Sequence, residues 1–80
     1  MIYFVYAIKS KKDNRIYVGM TSDVERRVGE HNKGYVFSTK GYIPWNLIYI
    51  EDCGNVRINA RNKEKYLKSG VGKEFLKSIK

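Results

Sequence analysis

The run Ile2-Tyr3-Phe4-Val5-Tyr6-Ala7-Ile8 has no polar interruption and is rich in aromatic and β-branched side chains, the pattern of a strand covered on both faces in the middle of a sheet. Lys11-Lys12-Asp13-Asn14 supplies turn residues behind it. Arg15-Ile16-Tyr17-Val18-Gly19 then reads as a second strand, so the pair predicts an antiparallel hairpin that sets Tyr6 and Tyr17 on neighbouring strands. Ser22 and Glu25 have the spacing of a capping box. A helix is expected from Asp23 to about His31, with Val24 and Val28 inward and Asn32 and Gly34 as its stop.

Residues 33–44 are polar, glycine-containing and irregular, with Tyr35, Phe37 and Tyr42 scattered through them, and predict a long loop of the functional or mobile kind. Trp45-Asn46-Leu47-Ile48-Tyr49-Ile50 predicts a third strand, entered through Pro44 where a missing N–H is tolerated. A second helix is expected from Asn55, closed by Ser69-Gly70, with Val56, Ala60, Glu64 and Leu67 on one face. Residues 72–79 predict a short last helix whose Phe75, Leu76 and Ile79 pack inward. The expected fold class is α+β, a small central antiparallel sheet of about three strands flanked by two or three helices.

Composition narrows the scope. An 80-residue chain buries only about 60% of its unfolded surface and sustains one core, so residues 1–80 are read as a single domain. Cys53 is the only cysteine and His31 the only histidine, which excludes an intramolecular disulfide and a four-ligand zinc site of the usual kind. The unpaired thiol suits a reducing cytosol, and no apolar run approaches the roughly 20 residues that span a bilayer, so a cytoplasmic protein without membrane association is expected.

The net charge of +8 points to an anionic partner, nucleic acid first, because Lys and Arg gain affinity for phosphate backbones by releasing condensed counterions. A basic surface that serves only solubility is the bland alternative. The distribution favours a face: from Gly54 to Lys80 eight basic residues oppose only Glu64 and Glu74.

Glu64 is hard to explain as structure, since it falls on an apolar stripe where an unpaired carboxylate carries a desolvation cost of several kcal/mol. Either it serves a cation, or it lies at the edge of the stripe and pairs with Lys68 four residues on; spacing alone leans to the pair. Arg27 borders the inner face of the first helix and reads equally as an amphipathic stem with its head in water. His31, one turn later on the same side, is explained by the free carbonyls of the helix end. Tyr6 and Tyr17 are explained as core, yet cross-strand pairing also sets two phenols side by side.

Taken together, these residues resemble the GIY-YIG nuclease family, of the small stand-alone type. Phe4-Val5-Tyr6 and Tyr17-Val18-Gly19 are similar to its two strand motifs, Phe4 standing where the family name has glycine. The stretch from Tyr17 to Val28 resembles its second strand and first helix, Ser38-Thr39-Lys40 and Pro44-Trp45-Asn46-Leu47 its connector and third strand, and the stretch from Lys63 to Gly70 its metal-site helix. The order and spacing of these motifs reverse the structural reading of Arg27 and Glu64. Met20 replaces a lysine of the repair-type members.

The resemblance implies metal-assisted hydrolysis of DNA phosphodiesters with one divalent ion, Mg²⁺ or Mn²⁺, held by Glu64. It implies Arg27 on the scissile phosphate, Tyr6 or Tyr17 as general base or water-orienting group, and His31 relaying a proton or touching phosphate. Arg26, Lys40 and Lys63 are expected to hold the nucleic-acid backbone. These residues do not separate DNA from RNA. No second domain is read that would choose targets, which points to structure-dependent cutting, linked to repair or recombination, or to a partner protein. The alternatives are a non-catalytic nucleic-acid-binding module of the same fold and a basic protein-interaction domain.

Overall fold

A computed structural model describes residues 1–79. The first apolar run becomes β1 (Phe4–Ser10) and the residues after the turn become β2 (Ile16–Thr21). The two pair antiparallel with Tyr6 opposite Gly19 and Ile8 opposite Tyr17. On the other side β1 pairs antiparallel with β3 (Trp45–Asp52), giving a three-stranded sheet in the order β2-β1-β3. The uninterrupted apolar run is therefore the central strand, as its pattern requires.

Alternation along β1 divides the core in two. Val5 and Ala7 point to one face and pack with Val18, Ala60, Leu67 and Leu76. Tyr6 and Ile8 point to the other and pack with Val24 and Trp45. The first face is covered by α2 (Arg57–Lys68) and α3 (Gly70–Lys77), and the second by α1 (Val24–Asn32) with the loop that follows it, which closes in a 3₁₀ turn (Lys40–Tyr42). The result is α+β, with helices on both sides of the sheet.

Helix ends differ from the expected ones for local reasons. Asp23 rather than Ser22 caps α1: its carboxylate accepts the Arg26 N–H at 3.0 Å, and a charged acceptor suits the positive end of the helix. α2 starts two residues later than expected, because Gly54 turns the chain at φ +74° and Val56 stays extended and half exposed, off the inner stripe. Ser69 does end α2, and as N-cap it starts α3 at once, with its hydroxyl accepting from the Gly72 N–H. On α3 Leu76 is buried, and just after it Ile79 packs against the core, whereas Phe75 is about half exposed and meets Tyr49 edge-on at 5.6 Å.

The turn from α2 into α3 leaves no room at Gly72. A Cβ there would collide with the Tyr66 carbonyl and stand 2.5 Å from the Leu67 Cα, backbone atoms that move only if the helices separate. Gly72→Ala should lower the thermal midpoint on the order of 10 °C, as overpacking by about 1–3 kcal/mol does in a domain of this size. Thermal denaturation followed by circular dichroism measures it, and an unchanged midpoint would refute the tight crossing.

Candidate active site

β2 is an edge strand, and the space beside it, between α1 and α2, is an open cleft of about 440 Å³. The sheet contributes Tyr6, Tyr17 and Gly19 to its wall, the residue before β1 contributes Tyr3, α1 contributes Arg27, and α2 contributes Arg57, Arg61, Glu64 and Lys68. Tyr6 and Tyr17 lie diagonally on the same face, ring centres 6.5 Å apart. Gly19 is what lets Tyr6 reach the cleft: a Cβ at that position would stand 2.6 Å from the Tyr6 hydroxyl.

Behind Tyr6 a buried polar chain runs into the protein. The Tyr6 hydroxyl lies 2.8 Å from His31 Nε2, His31 Nδ1 lies 2.7 Å from Thr39 Oγ1, and Thr39 Oγ1 donates to the Val36 carbonyl at 3.3 Å. One proton order satisfies all three contacts together. Thr39 has given its hydrogen to Val36, so it accepts from His31 Nδ1–H, which leaves Nε2 as the acceptor for the Tyr6 O–H. Burial pushes the His31 imidazolium down to about 4, assisted by the nearby Arg27 charge, so the ring is neutral as this assignment requires. Burial likewise pushes the Tyr6 phenol up to about 12, with Tyr17 adding to the rise and Arg27 opposing it.

The buried neutral His31 makes stability depend on pH. Its folded pKa lies below the unfolded value of 6.5, so the unfolded chain binds the extra proton and stability falls as pH drops from about 6.5 towards about 4. Thermal midpoints across that window should decline in the wild type and stay flatter in His31→Gln. Parallel curves would show that His31 does not carry the effect.

Arg27 is half-buried, donates to Glu30 at 3.0 Å and stands beside the Tyr6 hydroxyl. Glu64 is only 14% exposed, with the Lys68 ammonium 3.4 Å and the Arg61 guanidinium 3.8 Å from its carboxylate. On α2 it lies between the buried Ala60 and Leu67 on one side and the basic row of Arg57, Arg61 and Lys68 on the other. Both readings of Glu64 thus describe part of its surroundings: it pairs with Lys68, and it faces a cleft. No cluster of three His, Cys, Asp or Glu side chains exists among the described residues.

The fold brings Tyr6, Tyr17, Arg27 and Glu64 to one cleft. His31 is fully buried behind Tyr6, so it reaches the cleft through the Tyr6 hydroxyl and does not face a phosphate there. Arg26, Lys40 and Lys63 do not line this cleft: Arg26 pairs with Glu30 at 2.8 Å, Lys40 lies over the Phe37 ring, and Lys63 pairs with Glu51 at 3.4 Å. The cations that do line it besides Arg27 are Arg57, Arg61 and Lys68. Their steps of four, three and four along α2, with Glu64 among them, were a readable signal of a shared face. Thr39 had no comparable signal.

Comparison with known proteins gives a consistent answer. Residues 2–77 match the family described as the GIY-YIG catalytic domain. The chain is 40% identical over 68 residues to a UPF0213 protein of Haloquadratum walsbyi, covering 84% of this chain and 74% of that one. It is 34% identical over 53 residues to the structure-specific endonuclease subunit SLX1 of Homo sapiens, covering 61% of this chain and 19% of that one. The solution NMR structure of a UPF0213 protein from Bacillus halodurans superposes with a TM-score of 0.58 at 32% identity, covering 98% of this chain and 84% of that one.

Proposed function

Since this chain belongs to the GIY-YIG family, we propose that it is a metal-dependent endonuclease hydrolysing DNA phosphodiester bonds, with branched or flapped DNA of repair and recombination as its substrate class. The observation that carries the reading is the convergence of Tyr6, Tyr17, Arg27 and Glu64 on one cleft whose remaining charged wall is Arg57, Arg61 and Lys68. The choice of branched substrates follows the likeness of 61% of the chain to a structure-specific endonuclease subunit.

The residues fit one hard cation. A single carboxylate at a cleft, with water and phosphate oxygens to complete the shell, is a usual way to hold Mg²⁺ or Mn²⁺, and Glu64 is that carboxylate. When bound, the ion supplies positive charge against the charge developing on phosphate and acidifies water. Arg27 presents its planar fork to the scissile phosphate. Arg57, Arg61 and Lys68 grip flanking phosphates, and Arg61 and Lys68 exchange their contact with Glu64 for the substrate.

The two tyrosines take different roles in this proposal. Tyr6 is 1% exposed and already donates its proton to His31, so a phenol held near 12 positions Arg27 rather than taking a proton itself. Tyr17 faces the cleft with no hydrogen bond on its hydroxyl among the described residues, which leaves its oxygen to accept a hydrogen bond from the attacking water and orient it. His31 and Thr39 act through Tyr6 as positioning residues.

The test is cleavage of plain, nicked, flapped and branched DNA with Mg²⁺ or Mn²⁺, alongside the same strands as RNA. Cutting of branched or flapped DNA in preference to duplex supports the proposal. Binding of every substrate without cutting would identify a non-catalytic module, and binding without steep salt dependence would point to a protein-interaction domain.

A further inference from the structure

The loop between α1 and β3 holds two aromatic rings out in solvent, Phe37 at 84% exposure and Tyr35 at 74%. The loop is not slack. Tyr35 N–H donates to the Glu30 carbonyl at 3.0 Å, and the Thr39 and Lys40 N–H groups both donate to the Val36 carbonyl, at 3.1 and 3.0 Å. Thr39 is buried, its hydroxyl bonded to His31 and its carbonyl accepting Trp45 Nε1–H at 2.9 Å. Asn32 closes the base of the loop by bonding both the N–H and the carbonyl of Trp45. An aromatic tip on so firmly anchored a frame is presented in advance of any partner.

The charge around the tip selects the partner. Tyr35 lines a hollow that also holds Asp23, Glu25 and Glu30, whereas at Phe37 the cation is close, with Lys40 Nζ 4.9 Å over the ring, and residues 31–44 contain no Asp or Glu. Lys12 reaches in from the hairpin to the Gly41 carbonyl at 3.4 Å. Aromatic faces interleaved with ammonium groups suit an unpaired base stacked on a ring with its phosphates neutralised alongside. We propose that Phe37 forms a stacking platform for an unpaired nucleic-acid base, outside the cleft. Phe37 is two residues from Thr39, about 7 Å of chain, and Thr39 is joined through His31 to Tyr6 in the cleft wall. The platform thus sets an unpaired strand at a fixed offset from the cleft. The inference rests on the reading that this chain acts on nucleic acid.

The experiment measures binding in the presence of a chelator, so it needs no cleavage and is read separately from the nuclease test. The probe is a DNA duplex with a single-stranded flap carrying a fluorescent purine analogue, compared with the fully paired duplex. Wild type should quench the unpaired analogue. Phe37→Ala should abolish the quench and weaken flap binding about tenfold, the order that one stacked base contributes, with duplex affinity unchanged. Phe37→Trp should restore both. The thermal midpoint should not move, because the ring is exposed. Equal weakening on flap and duplex, or no weakening, would overturn the platform. So would a concentration-dependent self-association of the wild type that Phe37→Ala abolishes, which would make the tip a contact between copies.

Discussion

Replacing Glu64 by Gln is expected to lower the single-turnover rate of DNA cleavage on the order of a thousandfold or more and to leave nucleic-acid binding intact. No cluster of three candidate ligands is present among the described residues, so the loss of this carboxylate is not compensated by neighbours. The charge stabilisation that a bound ion provides amounts to several kcal/mol, and each 1.36 kcal/mol is tenfold in rate. Binding in chelator should be equal to or tighter than wild type. The substitution removes a negative charge from the cleft and frees Arg61 and Lys68, which Glu64 otherwise engages at 3.8 and 3.4 Å. Folding should be little changed, since both pairs reach partners that are about half exposed and such pairs contribute under about 1 kcal/mol. Rapid-quench cleavage of a flapped substrate, with a binding titration beside it, decides the matter. A Glu64→Gln protein that cuts at the wild-type rate would remove Glu64 from the site.

Arg27→Ala is expected to lower the rate by about 10²–10³, the scale of deleting one donor to a developing oxyanion. Arg27→Lys should recover only part, because a point charge does not reproduce the planar fork. The same substitution has a second readout independent of catalysis. The Arg27 charge helps to hold His31 down near 4. Its removal should therefore let the imidazole titrate at higher pH, visible as an upward shift in the pH midpoint at which the His31 ring resonances titrate by NMR. Arg27→Lys keeps the charge and should leave that titration nearly where it was. Should Arg27→Ala cut normally while His31 shifts, the residue would belong to the buried polar chain alone.

The parts of this molecule legible in the chain are those governed by short-range pattern. β1 is recognisable because an unbroken apolar run must be covered on both faces, and the hairpin follows from the turn residues after it. Element ends were less legible, because capping is a competition between adjacent acceptors: Ser22 and Asp23 both suit an N-cap, and the carboxylate takes the position. Val56 and Phe75 read as inward by periodicity, but the phase of a helix is set by where the preceding turn releases the chain.

For the candidate site, spacing alone leaves Tyr6 and Tyr17 explained as core, Arg27 as an amphipathic stem and Glu64 as a partner of Lys68; the ordered set of motifs resembling the GIY-YIG family is what singles the four out in the sequence. Which cations stand with them was decided only in three dimensions. Arg26, Lys40 and Lys63 are as basic as Arg57, Arg61 and Lys68, yet only the second set lines the cleft, because the crossing of α2 beside the β2 edge orients one face of that helix. The setting of His31 was decided the same way. Its burial, its neutral state and its bond to Tyr6 come from α1 packing over the face of the sheet to which Tyr6 points, and from a loop that returns to place Thr39 against the far nitrogen. Sequence periodicity reports which side of an element is apolar; the desolvation and proton order that make a site are properties of several elements meeting, and they exist only once the chain has folded.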